Sequence, residues 1–292
     1  MTFADIREAA DGNLDLDYYD LVRELVASGD RSAVEPAREA LEEYVAARNG
    51  HGRDLMALVV AGLDGAASFP LLLDVHADAI RREGLGDLDT MNQALHQAAT
   101  ADPASARAVI LPRLTDSDPI VRRAALQAIG FVPERSDLPL LRAALTDPDR
   151  WVRHTAIGSL PAVTDDPEVY QILVAALHDP DGWVQREAVI ILGWGGPPTV
   201  VDHLVTRLDE PGLARQARSA MGGAIGRAAK GSDRTATAAA ALRELIADPD
   251  PATRANAVRG IRELGEPLDA LNAVADDTDW LVRETLRGAG NG

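Results

Sequence analysis

The chain has 292 residues, with 46 acidic and 29 basic side chains and a formal charge of −17. A field of that sign repels phosphate backbones and anionic headgroups, so no nucleic-acid or membrane partner is expected, whereas a basic protein or peptide is. With no cysteine, disulfides, thiolate nucleophiles and Cys-ligated metals are excluded.

The N-terminal stretch MTFADIREAADGNLDLDYYD carries charge throughout and lacks the apolar core of a signal peptide. The longest apolar stretch, Leu55 to Leu63, lies between Asp54 and Asp64 and is too short to span a bilayer. Together these predict a cytoplasmic protein. Helical spacing of apolar residues predicts helices over Asp17 to Ala27, Ala33 to Arg48, Arg53 to Leu63, Phe69 to Arg82 and Leu88 to Thr100. Residues 1–103 therefore form an acidic helical part, either diverged repeats or a cap, and residues 104–292 form a repeat array.

The repeats emerge when the chain is compared with itself. LTDSDPIVRRAALQAIG from Leu114, LTDPDRWVRHTAIGSLP from Leu145 and LHDPDGWVQREAVIILG from Leu177 align without gaps, and looser copies follow from Leu208, Leu245 and Ala275. Their first aspartates, Asp116, Asp147, Asp179, Asp209, Asp248 and Asp277, are 31, 32, 30, 39 and 29 residues apart. The long interval predicts an insertion at about 226–240, and Trp194 in GWGGPP is expected in a turn between repeats.

Each copy reads as two helices around an Asp/Pro turn. The second helix carries a one-sided apolar stripe, as in Val152, Ala156, Ile157 and Leu160, which one helix pair cannot bury alone. Asp149, Asp181 and Asp250 stand where an N-cap is needed.

This pattern resembles the HEAT repeat family and, in its short period, the bacterial variety first described in phycobilisome lyases. The resemblance rests on Asp followed six residues later by Arg: Asp116 and Arg122, Asp147 and Arg153, Asp209 and Arg215, Asp248 and Arg254, Asp277 and Arg283. Asp179 faces Gln185 instead. It implies an all-α fold, a right-handed α-α superhelix of stacked helix pairs. It also implies a structural ladder of these residues between successive turns.

Catalytic motifs are absent: no G-x-S-x-G elbow, no phosphate loop at GRAAKGS, and no two histidines spaced for a helical metal face. No cofactor or metal is expected. The His-Glu dipeptides of deoxyhypusine hydroxylase, a HEAT enzyme, are missing. Alkylpurine DNA glycosylases, another HEAT-like group, use tryptophans and an acid on a basic concave surface, which the charge of this chain opposes. What remains is surface recognition by a noncatalytic, monomeric scaffold or adaptor that uses the concave face. Arg150, Trp151, His154, Trp183, Arg186, Glu187 and Arg215 are its candidate partner-binding residues. A narrower alternative is an immunity or inhibitor protein that masks a basic toxin.

Overall fold

The computed structural model describes residues 2–12, 18–83, 88–160, 167–265 and 268–288. Among these the regular elements are all helical. They cluster into two compact units, Met1–Glu134 and Arg135–Gly292.

The first unit holds α1 (Phe3–Ala10), α2 (Tyr18–Ser28), α3 (Val34–Ala47), α4 (Gly50–Asp64), α5 (Phe69–Glu83), α6 (Asp89–Ala101), α7 (Pro103–Arg113) and α8 (Pro119–Ile129). Five of these match the helices expected from spacing to within a few residues; Asp17, the expected start of α2, lies outside the described residues. The short α1 was not anticipated. Helix α4 is the centre, packed on α1, α2, α3, α5 and α6. The stretch Gly50–Arg82 is long and apolar enough by composition to cross a bilayer, longer than the Leu55 to Leu63 run suggests. Here a 3-10 turn at Gly65–Ser68 breaks it, and its apolar side chains are consumed internally: Met56, Val59, Val60, Leu72 and Leu73 are buried.

The first helix pair with the Asp marker, α7 and α8, packs on α5 and α6. The unit boundary therefore falls after Glu134, one repeat beyond residue 103. Between α5, α6 and α8 runs a polar chain. Gln127 Nε2 donates to Asn92 Oδ1 at 2.8 Å, and Gln127 Oε1 lies 3.1 Å from Nε2 of the fully buried His76. Burial lowers the His76 pKa to about 4, against the opposing effect of the Gln127 hydrogen bond.

The second unit contains α9 (Leu138–Ala144), α10 (Arg150–Ser159), α11 (Pro167–Ala176), α12 (Gly182–Gly195), α13 (Val200–Asp209), α14 (Arg215–Ala229), α15 (Thr235–Leu245), α16 (Pro251–Leu264) and α17 (Trp280–Arg287). The second helices α10, α12, α14, α16 and α17 pack in that order, each against the next. Their buried stripes are the expected ones: Val152, Ala156, Ile157 and Leu160 on and just past α10, Val184, Ala188, Val189 and Leu192 on α12, Thr253, Ala257, Val258 and Ile261 on α16.

Both aspartates of each Asp-x-Asp turn are structural. The second caps the following helix: Asp149 Oδ1 accepts from the Trp151 and Val152 N–H groups, and Asp118, Asp181, Asp250 and Asp279 cap in the same way. The first accepts from the backbone N–H two residues on, as Asp179 does from Asp181 at 2.8 Å. It also takes the guanidinium of the preceding repeat: Arg153 donates Nε and Nη2 to the two oxygens of Asp179 at 2.9 and 3.0 Å, and Arg254 does the same to Asp277 at 2.7 and 2.8 Å. The hydrogen bond from Arg254 holds the Asp277 carboxyl below the usual carboxylate range. Each of these arginines turns Nη1 back onto its own turn, Arg153 to the Asp147 carbonyl at 2.8 Å and Arg254 to that of Asp248 at 2.9 Å; Arg122 and Arg283 reach Asp116 and Asp277 likewise. The six-residue spacing thus joins a side chain to a carbonyl, and the carboxylate contact runs to the next repeat.

Two sequence expectations are corrected here. Asp209 and Arg215 do not form a rung. Asp209 closes α13, and Arg215 is the first residue of α14, with Nη2 2.7 Å from Asp250, the cap of α16. The rung arginine is Arg218, whose Nε donates to Asp248 at 2.7 Å. The cause is the turn before α14, where the N-cap is Ala214 and the marker position falls on Gly212, at φ +82. The insertion at 226–240 also dissolves, because residues 226–229 end α14 and 235–240 begin α15. Part of the long interval is the shifted marker, and the rest is helix length.

Candidate functional site

Six of the seven expected partner-binding residues come together on α10 and α12. Trp151, Trp183 and Glu187 lie one residue, and Arg150, His154 and Arg186 two residues, from the buried stripe, which puts them off its side of each helix. The Trp151 and Trp183 rings, each the second residue of its helix, lie 6.4 Å apart at 34°. His154 meets Trp151 edge-on at 5.6 Å. The Arg150 and Arg186 guanidinium carbons lie 4.9 and 5.7 Å from the Trp151 and Trp183 ring centres, within cation–π range. Both tryptophans are partly buried.

Glu187 sits between the two helices, its Oε2 3.5 Å from His154 Nε2. Burial raises its pKa, and the neighbouring Arg186 only partly offsets that. Arg150 and Arg215, both first residues of their helices, have a further role. Arg150 reaches Asp181 at 3.4 Å as Arg215 reaches Asp250, so each touches the cap of the next second helix. Arg215 stands on α14, beyond the tryptophan pair.

Trp194 is not in a turn. It lies in the last turn of α12 and is 71% exposed. The helix continues through Gly193 because a Cβ there would sit 2.6 Å from the Ala224 Cα; close contact with α14 overrides the weak helix propensity of glycine. Arg227, the thirteenth residue of α14 as Trp194 is of α12, lays its guanidinium over the Trp194 ring at 3.8 Å. Neither this pair nor Arg259 on α16 was singled out from sequence, although aligning the helices by their caps puts Trp194 and Arg227 in register. Trp194, Tyr170, Leu173 and Pro197 line an apolar hollow of about 320 Å³. A larger groove of about 560 Å³, also unanticipated, opens beside α11, between Leu145, Ile172 and His178.

The charge of the second helices is not that of the chain. The five second helices hold eleven arginines and three glutamates, with no aspartate; the aspartates of the unit stand mainly in the turns. Among the described residues no three His, Asp or Glu side chains gather as metal ligands.

Two overlapping stretches, residues 87–161 and 138–222, match the family model for HEAT repeats. No curated protein matches the sequence. Among solved structures, the crystal structure of an engineered protein is similar at 18% identity, aligning over 100% of this chain and 89% of its own with a TM-score of 0.44. The matched residues run from 87 to 222, and the capped turns and Asp–Arg rungs continue the same construction to α17.

Proposed function

We propose that this chain is a noncatalytic scaffold that docks a protein or peptide on the face formed by its second helices. The observation that carries the reading is the Trp151–Trp183 pair with Arg150 and Arg186 on its rings. Tryptophan and arginine dominate binding energy at protein interfaces, and here adjacent repeats hold both in a fixed arrangement. The spacing of 31 and 32 residues between Asp116, Asp147 and Asp179 supports grouping the repeats with the short bacterial variety.

Site-directed crosslinking tests this. A photoreactive residue at Ile190 captures a polypeptide, capture drops in Trp151→Ala and Trp183→Ala, and the same residue on α15 captures none. Equal capture from both faces overturns the reading.

One observation favours an alternative. Glu187, with its raised pKa, stands beside Trp183 and His154, which is the pairing of acid and tryptophan found in HEAT-like DNA glycosylases. This reading is the weaker one, because duplex binding needs a row of phosphate-neutralising cations. Five of the eleven arginines on the second helices are already engaged: Arg153, Arg218 and Arg254 with rung carboxylates, Arg150 and Arg215 with capping ones. Excision of an alkylated base from duplex DNA by the purified protein would establish it.

A further inference from the structure

Resting on the docking reading, we propose that the segment held on this face is an acidic peptide with apolar side chains, whereas the charge of the whole chain suggests a basic one. The reason is which cations remain free. Among the described residues, Arg227 and Arg259 have no carboxylate partner, Arg259 donating to Asn256 Oδ1 at 2.9 Å, and Arg186 makes no ion pair, acting on its neighbour Glu187 only through the field between them. They lie on α12, α14 and α16, three consecutive second helices.

Two of the three also stand over a tryptophan ring, Arg227 at 3.8 Å from the centre of Trp194 and Arg186 at 5.7 Å from that of Trp183. A stacked guanidinium uses its face and keeps its edge, where all its N–H donors point. Arg227 Nε is buried without a hydrogen-bond acceptor. That nitrogen is closed to solvent, so a docked carboxylate meets the terminal nitrogens of the guanidinium, which its two oxygens match with parallel hydrogen bonds. Arg259 continues the path to a groove of about 550 Å³ beside α16 and α17, lined also by Arg262, Leu281, Glu284 and the Lys230–Glu263 pair, and the acidic segment is placed on the arginine side of it.

Apolar contact comes from the same residues. The Trp194 ring, 71% exposed, and Trp183 lie beside the arginine edges, so a segment alternating carboxylates with leucine or phenylalanine satisfies both kinds of surface. A nucleic-acid strand fits less well, since three separated free arginines neutralise few phosphates and the remainder of a chain of charge −17 repels the others. A short acidic segment makes its contacts locally, inside the roughly 8 Å over which salt leaves charges unscreened.

The experiment is fluorescence anisotropy with the full chain and three labelled probes: a peptide of alternating Glu and Leu with one Phe, the same peptide with Lys for Glu, and a single-stranded oligonucleotide. The acidic peptide should bind at least about tenfold more tightly than either other probe, and less tightly as salt is raised. Arg227→Glu and Arg259→Glu should each weaken it roughly tenfold, and Arg227→Lys less than Arg227→Glu. Equal or tighter binding of the Lys peptide or the oligonucleotide overturns the proposal. So does unchanged acidic-peptide binding by Arg→Glu variants of normal helical content, or binding by no probe. A Lys peptide that binds and quenches tryptophan emission, an effect lost in Trp183→Ala, sinks the acidic class and leaves the docking reading standing. Absence of both peptide binding and crosslinking from Ile190 removes the two together.

Discussion

Gln185 and Gly212 depart from the ladder together. Where neighbouring repeats set an arginine on an aspartate, Gln185 Nε2 donates to the Gly212 carbonyl at 3.2 Å and its Oε1 accepts from the Ala214 N–H at 2.9 Å. Its Nε2 also reaches the Asp179 carbonyl at 2.7 Å, so the amide fills the buried slot a guanidinium fills elsewhere, with no charge to compensate. Restoring the family residue alone should therefore do harm. Gln185→Arg is expected to cost roughly 3 kcal/mol in urea denaturation, because the new charge is buried without a partner. Adding Gly212→Asp should recover only part of it, since φ +82 strains an aspartate. A neutral Gln185→Arg would mean that the carboxylate is not what the rung arginines require.

Adjacent glycines on α14 should respond oppositely to alanine. A Cβ on Gly222 meets the Ala257 backbone nitrogen at 2.5 Å and the Asn256 carbonyl carbon at 2.6 Å, and backbone cannot step aside. A Cβ on Gly223 meets only the tip of Arg227, at 3.8 Å. Gly222→Ala is expected to destabilise by about 3 kcal/mol as α14 and α16 are forced apart, while Gly223→Ala should stabilise by roughly 0.5 kcal/mol through helix propensity. Thermal unfolding of the two variants side by side checks the contrast.

Acid should weaken the first unit before it touches the rungs. His76 binds a proton near 6.5 when unfolded but only near 4 when folded. Between those values the unfolded state holds more protons, so stability falls as pH falls, by about 3 kcal/mol over the window. The Asp277 contribution has the reverse origin: its folded pKa lies below 3.8, so its stabilisation is present above 3.8 and lost as pH drops through the folded value. Denaturation midpoints at pH 7, 5.5 and 4.5 should decline steadily, and His76→Gln should flatten that decline. A slope unaffected by His76→Gln places the titrating group elsewhere.

Glu187→Gln should raise the melting temperature at neutral pH. Burial lifts the Glu187 pKa, so the ionised form opposes folding above its folded pKa and ceases to as pH falls through it. The gain should vanish in acid, where both side chains are neutral. A drop in melting temperature at neutral pH would instead make the His154 contact a net stabilising ion pair.

Much of this was legible in the sequence because the signals were local. Asp149, Asp181 and Asp250 cap from adjacent positions, and the stripes from Val152, Val184 and Thr253 follow helical period. Trp151 and Trp183 could be paired because their repeats align without a gap. The misreadings share one cause, contacts between helices distant in sequence. Trp194 looked like turn chemistry because Gly193 is there for Ala224, which no local pattern reveals. Asp209 passed for a rung because the turn at Gly212 changed shape while the six-residue spacing survived by coincidence. Net charge is a total over the chain, and it does not record that the second helices of the second unit carry eleven arginines, three glutamates and no aspartate.

The glycine contacts between α14 and α16 have a mechanical consequence. At Gly222, Gly226 and Gly260 the two backbones meet with no side chain between them that could rearrange as the helices tilt. Elsewhere, as where Arg153 reaches Asp179, the link is a long side chain able to swivel while keeping its grip. Bending strain within the second unit should accordingly collect near α10 and α12, leaving α14 and α16 to move as one stiff plate. The tryptophan pair spans the compliant joint, so a segment bound there would set the angle between the two helices.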